Sequence, residues 1–322
     1  MSFPVRLRIV MVLLVAMTLA TVLGGCANGG YLNVPLPTLG GKFVWADQLA
    51  ADGWKVQQHA LTGHHRLLDP SSIRRAWGSR SHCERELEMR SADSAEDPCP
   101  AGDLVILLHG AFRSSGSLRA MEQHLQEAGY RTIAVNYPSV LRPLPSHASQ
   151  VDALLDRVEA ERVHFVTHSL GGLVVRQLLG VTSRGSKWRE RIELGRVCML
   201  FPPNQGAYKA NLWRHRWWYR AAFGPVSDWL TSEWAQLLPA PPCPFGVIAG
   251  GRGDGRGWSG VIPGDDDGTV GVEETKLDGM EDHIVFRAHH TFGMDAPEVL
   301  AACARYLETG SFRDDTSNAG GR

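Results

Sequence analysis

Residues 163–172 read V-H-F-V-T-H-S-L-G-G. A strand-like run from Val163 to Thr167 leads into Ser169, and a mostly apolar, helix-like stretch from Leu170 to Leu179 follows it. A buried strand that turns sharply into a buried helix lifts the residue at the turn out of the sheet, where a serine hydroxyl is open to substrate. Gly171 and Gly172 are small enough for the close strand–helix approach that this turn needs, whereas Thr167 stands where the usual pattern has a glycine. The competing reading of Ser169 is a hydroxyl that caps a core helix. The rest of the chain decides between the two.

A nucleophilic serine needs a histidine to take its proton and a carboxylate to orient that histidine. Downstream stands G-D-D-D-G-T-V (264–270), after an apolar run at 245–249, and then A-H-H-T-F (288–292), at the end of another at 283–288. Acid and histidine thus follow the serine in workable order, each on a loop after a predicted strand, where open parallel sheets form ligand sites. Asp265, Asp266 and Asp267 compete for the acid role, and His289 competes with His290 for the base. Upstream, H-G-A-F (109–112) follows the run at 104–108 directly and can turn the Ala111 N–H toward an oxyanion. The N–H of Leu170 is the second donor. His109 and His168 sit beside these positions and read as structural; His283, far along its strand, reads as a surface or supporting group. The acidic triplet would also suit Ca²⁺, which favours clustered carboxylates, but a loop acid is already required and no other ligand cluster is evident.

The surrounding pattern predicts an α/β fold with a mostly parallel sheet covered on both faces. Residues 104–108 (L-V-I-L-L) form a continuous apolar run, as in a strand buried on both sides. Leu118, Met121, Leu125 and Ala128 mark a helix closed by Gly129; 131–137 is the next strand; Val151, Leu154, Leu155 and Val158 mark a second helix. Strands at 163–167, 196–201, 245–249 and 283–288 follow, with a closing helix around Val299, Leu300, Cys303 and Leu307. Before this core, 54–68 is expected to supply one or two short strands and 71–101 to be polar and irregular. Residues 207–242 carry Trp213, Trp217, Trp218, Trp229 and Trp234, half of the chain's ten tryptophans, interleaved with Arg214, Arg216 and Arg220. This segment reads as an inserted cap suited to an acyl or lipid substrate and a membrane interface, or as helices packed on the domain by large side chains.

The segments L-L-H-G-A-F-R-S-S (107–115), V-N-Y-P-S (135–139), V-T-H-S-L-G-G (166–172), P-P-N-Q-G (202–206), D-D-G-T-V (266–270) and H-T-F-G-M (290–294) together resemble the α/β-hydrolase superfamily. The similarity is to its bacterial lipase and esterase group, akin to class 2 lipases and GPI inositol-deacylases, and spans residues 104–294. The resemblance implies Ser169 as nucleophile, Asp267 as acid (it precedes Gly-Thr-Val) and His290 as base (it precedes Thr-Phe). It implies cleavage of carboxylic, acyl or lipid esters through an acyl-enzyme, with no cofactor and no metal. An acyltransferase would use the same residues, and a catalytically silent hydrolase fold could serve as an envelope binding protein.

The N-terminus and composition set the location. Arg6 and Arg8 precede an apolar stretch from Ile9 to Leu23, which reads as a signal over 1–25. L-G-G-C (23–26) resembles a bacterial lipoprotein lipobox, implying cleavage before Cys26 and acylation there; two or more chains are needed for stable attachment. Ala27 after the cysteine implies, by resemblance to Gram-negative lipoproteins, an outer membrane protein facing the periplasm. A tether (26–40), a hydrolase domain (41–312) and a tail (313–322) would follow. In an oxidising compartment Cys83 and Cys99 are the expected pair, and Cys198 and Cys303 read as buried thiols. The net charge of −1 gives no electrostatic footprint for nucleic acid, so the expected partners are an ester substrate and a membrane.

Overall fold

The computed structural model describes residues 36–37, 42–51, 53–92 and 102–314. The signal, Cys26 and most of the tether therefore lie outside the described residues. Among those described, no helix is long and apolar enough to cross a membrane.

The chain begins with more strand than its pattern predicts. β1 (Leu36–Pro37), β2 (Trp45–Ala51), β3 (Trp54–His59), β4 (His65–Leu68) and β5 (Ile73–Gly78) form an antiparallel sheet ordered β1-β5-β4-β3-β2. α1 (Arg80–Ala92) follows. Residues 71–101, expected to be irregular, thus hold a strand and a helix as far as residue 92. The reason is polar burial. Asp47, Gln57 and Arg66 all face inward, and satisfy one another: Gln57 Nε2 donates to Asp47 (2.6 Å) and Arg66 Nε to Gln57 (2.8 Å). Buried polar groups paired in this way erase the apolar/polar alternation by which a half-buried strand is recognised. α1 has charge on nearly every face, held by Arg80–Glu84 and Arg90–Glu86 pairs one turn apart. Among its described side chains it buries Cys83 and Leu87, against Val56, Leu67 and Ala76. Cys83 is a free thiol there, its pKa pushed up to about 12 by burial; its expected partner Cys99 lies outside the described residues.

The second sheet is parallel throughout. Its strands are β6 (Leu104–Leu108), β7 (Arg131–Val135), β8 (Arg162–His168), β9 (Glu193–Leu200), β10 (Phe245–Gly251) and β11 (Asp282–Arg287), in the order β11-β10-β9-β8-β6-β7. All five residues of β6 are buried. Leu104, Ile106 and Leu108 enter one apolar core, while Val105 and Leu107 enter the other. That split is the period of two of a strand covered on both faces. One face is covered by α3 (Leu144–Leu155) and α4 (Leu170–Gly180), the other by α2 (Arg119–Glu127) and the last helix (Pro297–Thr309). Gly129, at φ +92°, follows the end of α2 as expected. The first sheet docks at the β7 edge, where the Asp47 carboxylate accepts the Asn136 N–H (2.8 Å) and Lys55 donates to the Ala134 carbonyl (2.6 Å).

Between β9 and β10 lie α5 (Tyr208–Trp213), α6 (Trp217–Phe223) and several short helical turns. The buried Arg176 of α4 ties this segment down, donating to the carbonyls of Asn204, Leu238 and Pro239. At the other end, Phe312 is buried on Tyr306, and Arg313 pairs with Asp282 at 2.5 Å. The folded part therefore includes Arg313, which the sequence pattern assigned to the tail; its anchor is an exposed ion pair that leaves no trace in apolar periodicity.

Candidate active site

Ser169 stands between β8 and α4 with φ +53° and ψ −120°, a backbone conformation costing of order 1–3 kcal/mol for a residue with a Cβ. Close packing enforces it. A Cβ on Gly171 would lie 2.3 Å from the Leu108 carbonyl oxygen, and one on Gly172 would lie 2.8 Å from Pro202 Cβ. Only glycine lets the helix start this near β6. Thr167 is fully buried on the strand side, and its hydroxyl has no hydrogen-bond partner among the described residues. The strand therefore accommodates the extra side chain by packing alone.

Three of the candidate residues meet. His290 Nε2 lies 2.9 Å from Ser169 Oγ, and His290 Nδ1 lies 2.6 Å from Asp267 Oδ2. The other Asp267 oxygen accepts the N–H groups of Thr269 (2.8 Å) and Val270 (2.7 Å), so the D-G-T-V turn itself fixes the carboxylate. The His290 N–H in turn donates to the Asp267 carbonyl at 2.9 Å. Serine, histidine and acid come from the loops after β8, β11 and β10.

The rival acids are engaged elsewhere. Asp265 accepts the N–H groups of Arg252 (2.7 Å) and Gly253 (2.9 Å), and Asp266 those of Ser259 (2.9 Å) and Gly268 (2.6 Å). Both brace the loops around Asp267, and a Ca²⁺ ion would have to displace those donors. His289 points away and packs on Trp258, ring centroids 3.9 Å apart. His168 donates from Nε2 to the His290 carbonyl (2.9 Å) and so props His290 from behind; burial holds its pKa well below the usual histidine value. His109 donates from Nδ1 to the Gly110 carbonyl (2.9 Å) and accepts the Tyr137 N–H at Nε2 (3.3 Å). Its ring stacks on Tyr137, and burial lowers its pKa to about 3. His283 lies half-buried on β11, 3.2 Å from the Thr275 hydroxyl.

Ala111 and Leu170, the two expected oxyanion donors, both lie next to the serine. Leu170 opens α4, where first-turn N–H groups have no partner within the helix. Ala111 lines the cavity that Ser169 opens into, and Phe112 after it is held at φ +56°. A Cβ on Gly110 would sit 2.9 Å from His168 and 3.0 Å from Ser169 Cβ, so this loop too lies against the serine.

With this geometry in view, the comparisons with known proteins fall into place. A family model described as alpha/beta hydrolase fold matches residues 103–187, from the start of β6 to beyond α4. The chain has the α/β-hydrolase fold. The mature form of the Bacillus licheniformis lipase BlEst2 superposes with TM-score 0.50 at 18% identity, covering 62% of this chain and 90% of that one. The Legionella pneumophila phospholipase PlaB, in complex with thio-NAD, matches with TM-score 0.49 at 18% identity over 65% of this chain and 56% of that one. The Exiguobacterium antarcticum esterase EaEST matches at 0.42 and 13% identity, over 66% and 94%. No curated protein matches the sequence.

In this hydrolase fold the segment between β9 and β10 closes over the serine. Ser169 and His290 open into a cavity of about 430 Å³, with α5 and α6 supplying its tryptophans and several other walls. Trp213, Trp218, Tyr219, Phe223 and Leu230 line it, and Phe112 packs edge-on against Phe223 at 4.8 Å. The expected aromatic character of 207–242 thus divides. Trp213 and Trp218 face the cavity and Trp217 faces solvent, while Trp229 and Trp234 pair with each other at 4.9 Å. Two charged cavity residues were not singled out by the sequence pattern: Lys209, on α5, and Arg113, four positions past His109.

Proposed function

We propose that this protein is a serine hydrolase of carboxylic esters, acting through an acyl-enzyme on Ser169. The observation that carries the reading is the unbroken hydrogen-bond chain from Ser169 Oγ through His290 to Asp267, opening into an apolar cavity. In this reading His290 Nε2 takes the Ser169 proton as Oγ attacks the ester carbonyl, and Asp267 holds the imidazolium that forms. The N–H groups of Ala111 and Leu170 receive the developing oxyanion; a single such donor is worth about 2.7–4 kcal/mol. His290 then protonates the departing alcohol, activates a water on the same face, and returns the proton to Ser169 as the acid leaves. The aromatic walls from α5 and α6 favour an acyl chain over a small polar acid, which makes 207–242 a cap. The lipobox at Cys26 adds that the enzyme is held on a membrane by acyl chains, in the cell envelope.

The test is pre-steady-state hydrolysis of 4-nitrophenyl octanoate by the full chain in detergent. The expected result is a burst of nitrophenol equal to the enzyme concentration, abolished in Ser169→Ala and His290→Gln, with steady rates lowered by ~10⁶-fold. Retention of turnover by Ser169→Ala would sink the assignment.

A further inference from the structure

The cavity over Ser169 is mostly apolar, and two cationic side chains stand in its lining. Lys209, on α5, and Arg113, just past the Ala111 loop, both line it, and among the described residues no acidic side chain does. Neither forms an ion pair among the described residues. Lys209 Nζ donates to a single acceptor, the Gly268 carbonyl at 2.6 Å, and Arg113 Nη2 reaches only the Thr291 carbonyl at 3.5 Å. Asp295 acts on Arg113 electrostatically, at longer range than an ion pair. An ammonium carries three donors and a guanidinium five, so most donors of both groups are open to a ligand. Partly buried cations beside an apolar wall are unfavourable unless an anion joins them.

Their placement bears on the chemistry. Gly268 directly follows Asp267, and Thr291 directly follows His290. The two charges therefore lie on the cavity wall beside the residues that flank Asp267 and His290.

Building on the hydrolase reading above, we propose that Lys209 and Arg113 bind an anionic group, a phosphate or carboxylate, carried by the substrate close to its scissile ester. The preferred substrate class is then an anionic acyl ester, its chain on the aromatic wall and its charge on these two residues.

The test compares three esters sharing one chain, used below their micellar concentrations: 1-octanoylglycerol, its 3-phosphate, and octanoyl glycerate, in which a carboxylate replaces the phosphate. A charge-assisted contact predicts kcat/KM about tenfold or more higher for an anionic ester than for the neutral one. Which of the two anions leads identifies the group bound. Lys209→Met and Arg113→Gln should each lower the anionic-to-neutral ratio several-fold, through KM rather than kcat, and Lys209→Arg should largely restore it. Equal kcat/KM for all three esters in the wild type overturns the inference. So does Lys209→Met lowering all three alike, which would make Lys209 a brace for the Gly268 turn. Fluorophosphonate labelling of the same samples separates the two levels. An enzyme that labels at Ser169 but shows no charge preference refutes only this inference, whereas one that does not label refutes the hydrolase reading beneath it.

Discussion

Replacing Asp267 by asparagine tests the site at its most specific point. The change is isosteric, and the Thr269 and Val270 N–H groups, at 2.8 and 2.7 Å, already require an acceptor at Oδ1. The asparagine carbonyl must therefore occupy that position, which leaves its NH₂ facing His290 Nδ1. An NH₂ donor forces Nδ1 to become the acceptor, so the proton moves to Nε2. Nε2 then donates to Ser169 Oγ and cannot take its proton. Loss of the correct tautomer in such a triad lowers kcat by ~10⁴-fold, about 5.4 kcal/mol of barrier. Asp266→Asn is the control. Its carboxylate braces Ser259 and Gly268, so the substitution should lower stability by about 1–3 kcal/mol and kcat by less than tenfold. Burst kinetics and thermal melts on both variants give the answer. An Asp267→Asn enzyme within tenfold of wild type, or Asp266→Asn with the larger kinetic loss, would refute the reasoning.

Gly171→Ala places a Cβ 2.3 Å from a backbone oxygen, so it should cost at least the ~1–3 kcal/mol of an overpacked core and lower activity with it; an unchanged melting temperature would contradict the close approach. Thr167→Val removes a buried hydroxyl that has no partner, and should be neutral or stabilising by up to about 1 kcal/mol in a denaturant melt; a loss beyond 1 kcal/mol would reveal a hidden role for that hydroxyl. Burial holds the pKa of His109 down to about 3 and of His147 to about 4, with His168 also well below its usual value. Because the unfolded chain binds these protons at pH ~6.5 and the folded one does not, stability is complete above that pH and falls as the medium is acidified toward pH 4. Each histidine adds up to about 1.4 kcal/mol per pH unit to that slope, and His147→Gln should flatten a plot of melting temperature against pH between 6 and 4.5.

How much of this was legible in the sequence depended on what each residue is buried against. The parallel strands were readable because β6 is apolar on both faces and helix-like runs alternate with the strands that follow it. The serine–acid–histidine set was readable because strand-end loops of such a sheet converge whatever their distance along the chain. The choice of Asp267 and His290 over their neighbours came from the motif around them, and the structure brings those two to Ser169. The first sheet was under-read for the opposite reason: Asp47, Gln57 and Arg66 form a polar core whose partners are set by folding, not by spacing. α1 hid because its charges pair along its own surface. Lys209 could not have been found at all, since only the packing of α5 over the Asp267 loop turns this one of the chain's five lysines into a cavity wall.

The most direct measurement is mass spectrometry of the full chain after treatment with a fluorophosphonate bearing an octyl chain. The expected result is one adduct per molecule on the peptide containing Ser169, its formation abolished by Ser169→Ala and slowed by orders of magnitude in His290→Gln. An adduct on another residue, or equal labelling of wild type and Ser169→Ala, would contradict the assignment of Ser169 as the nucleophile.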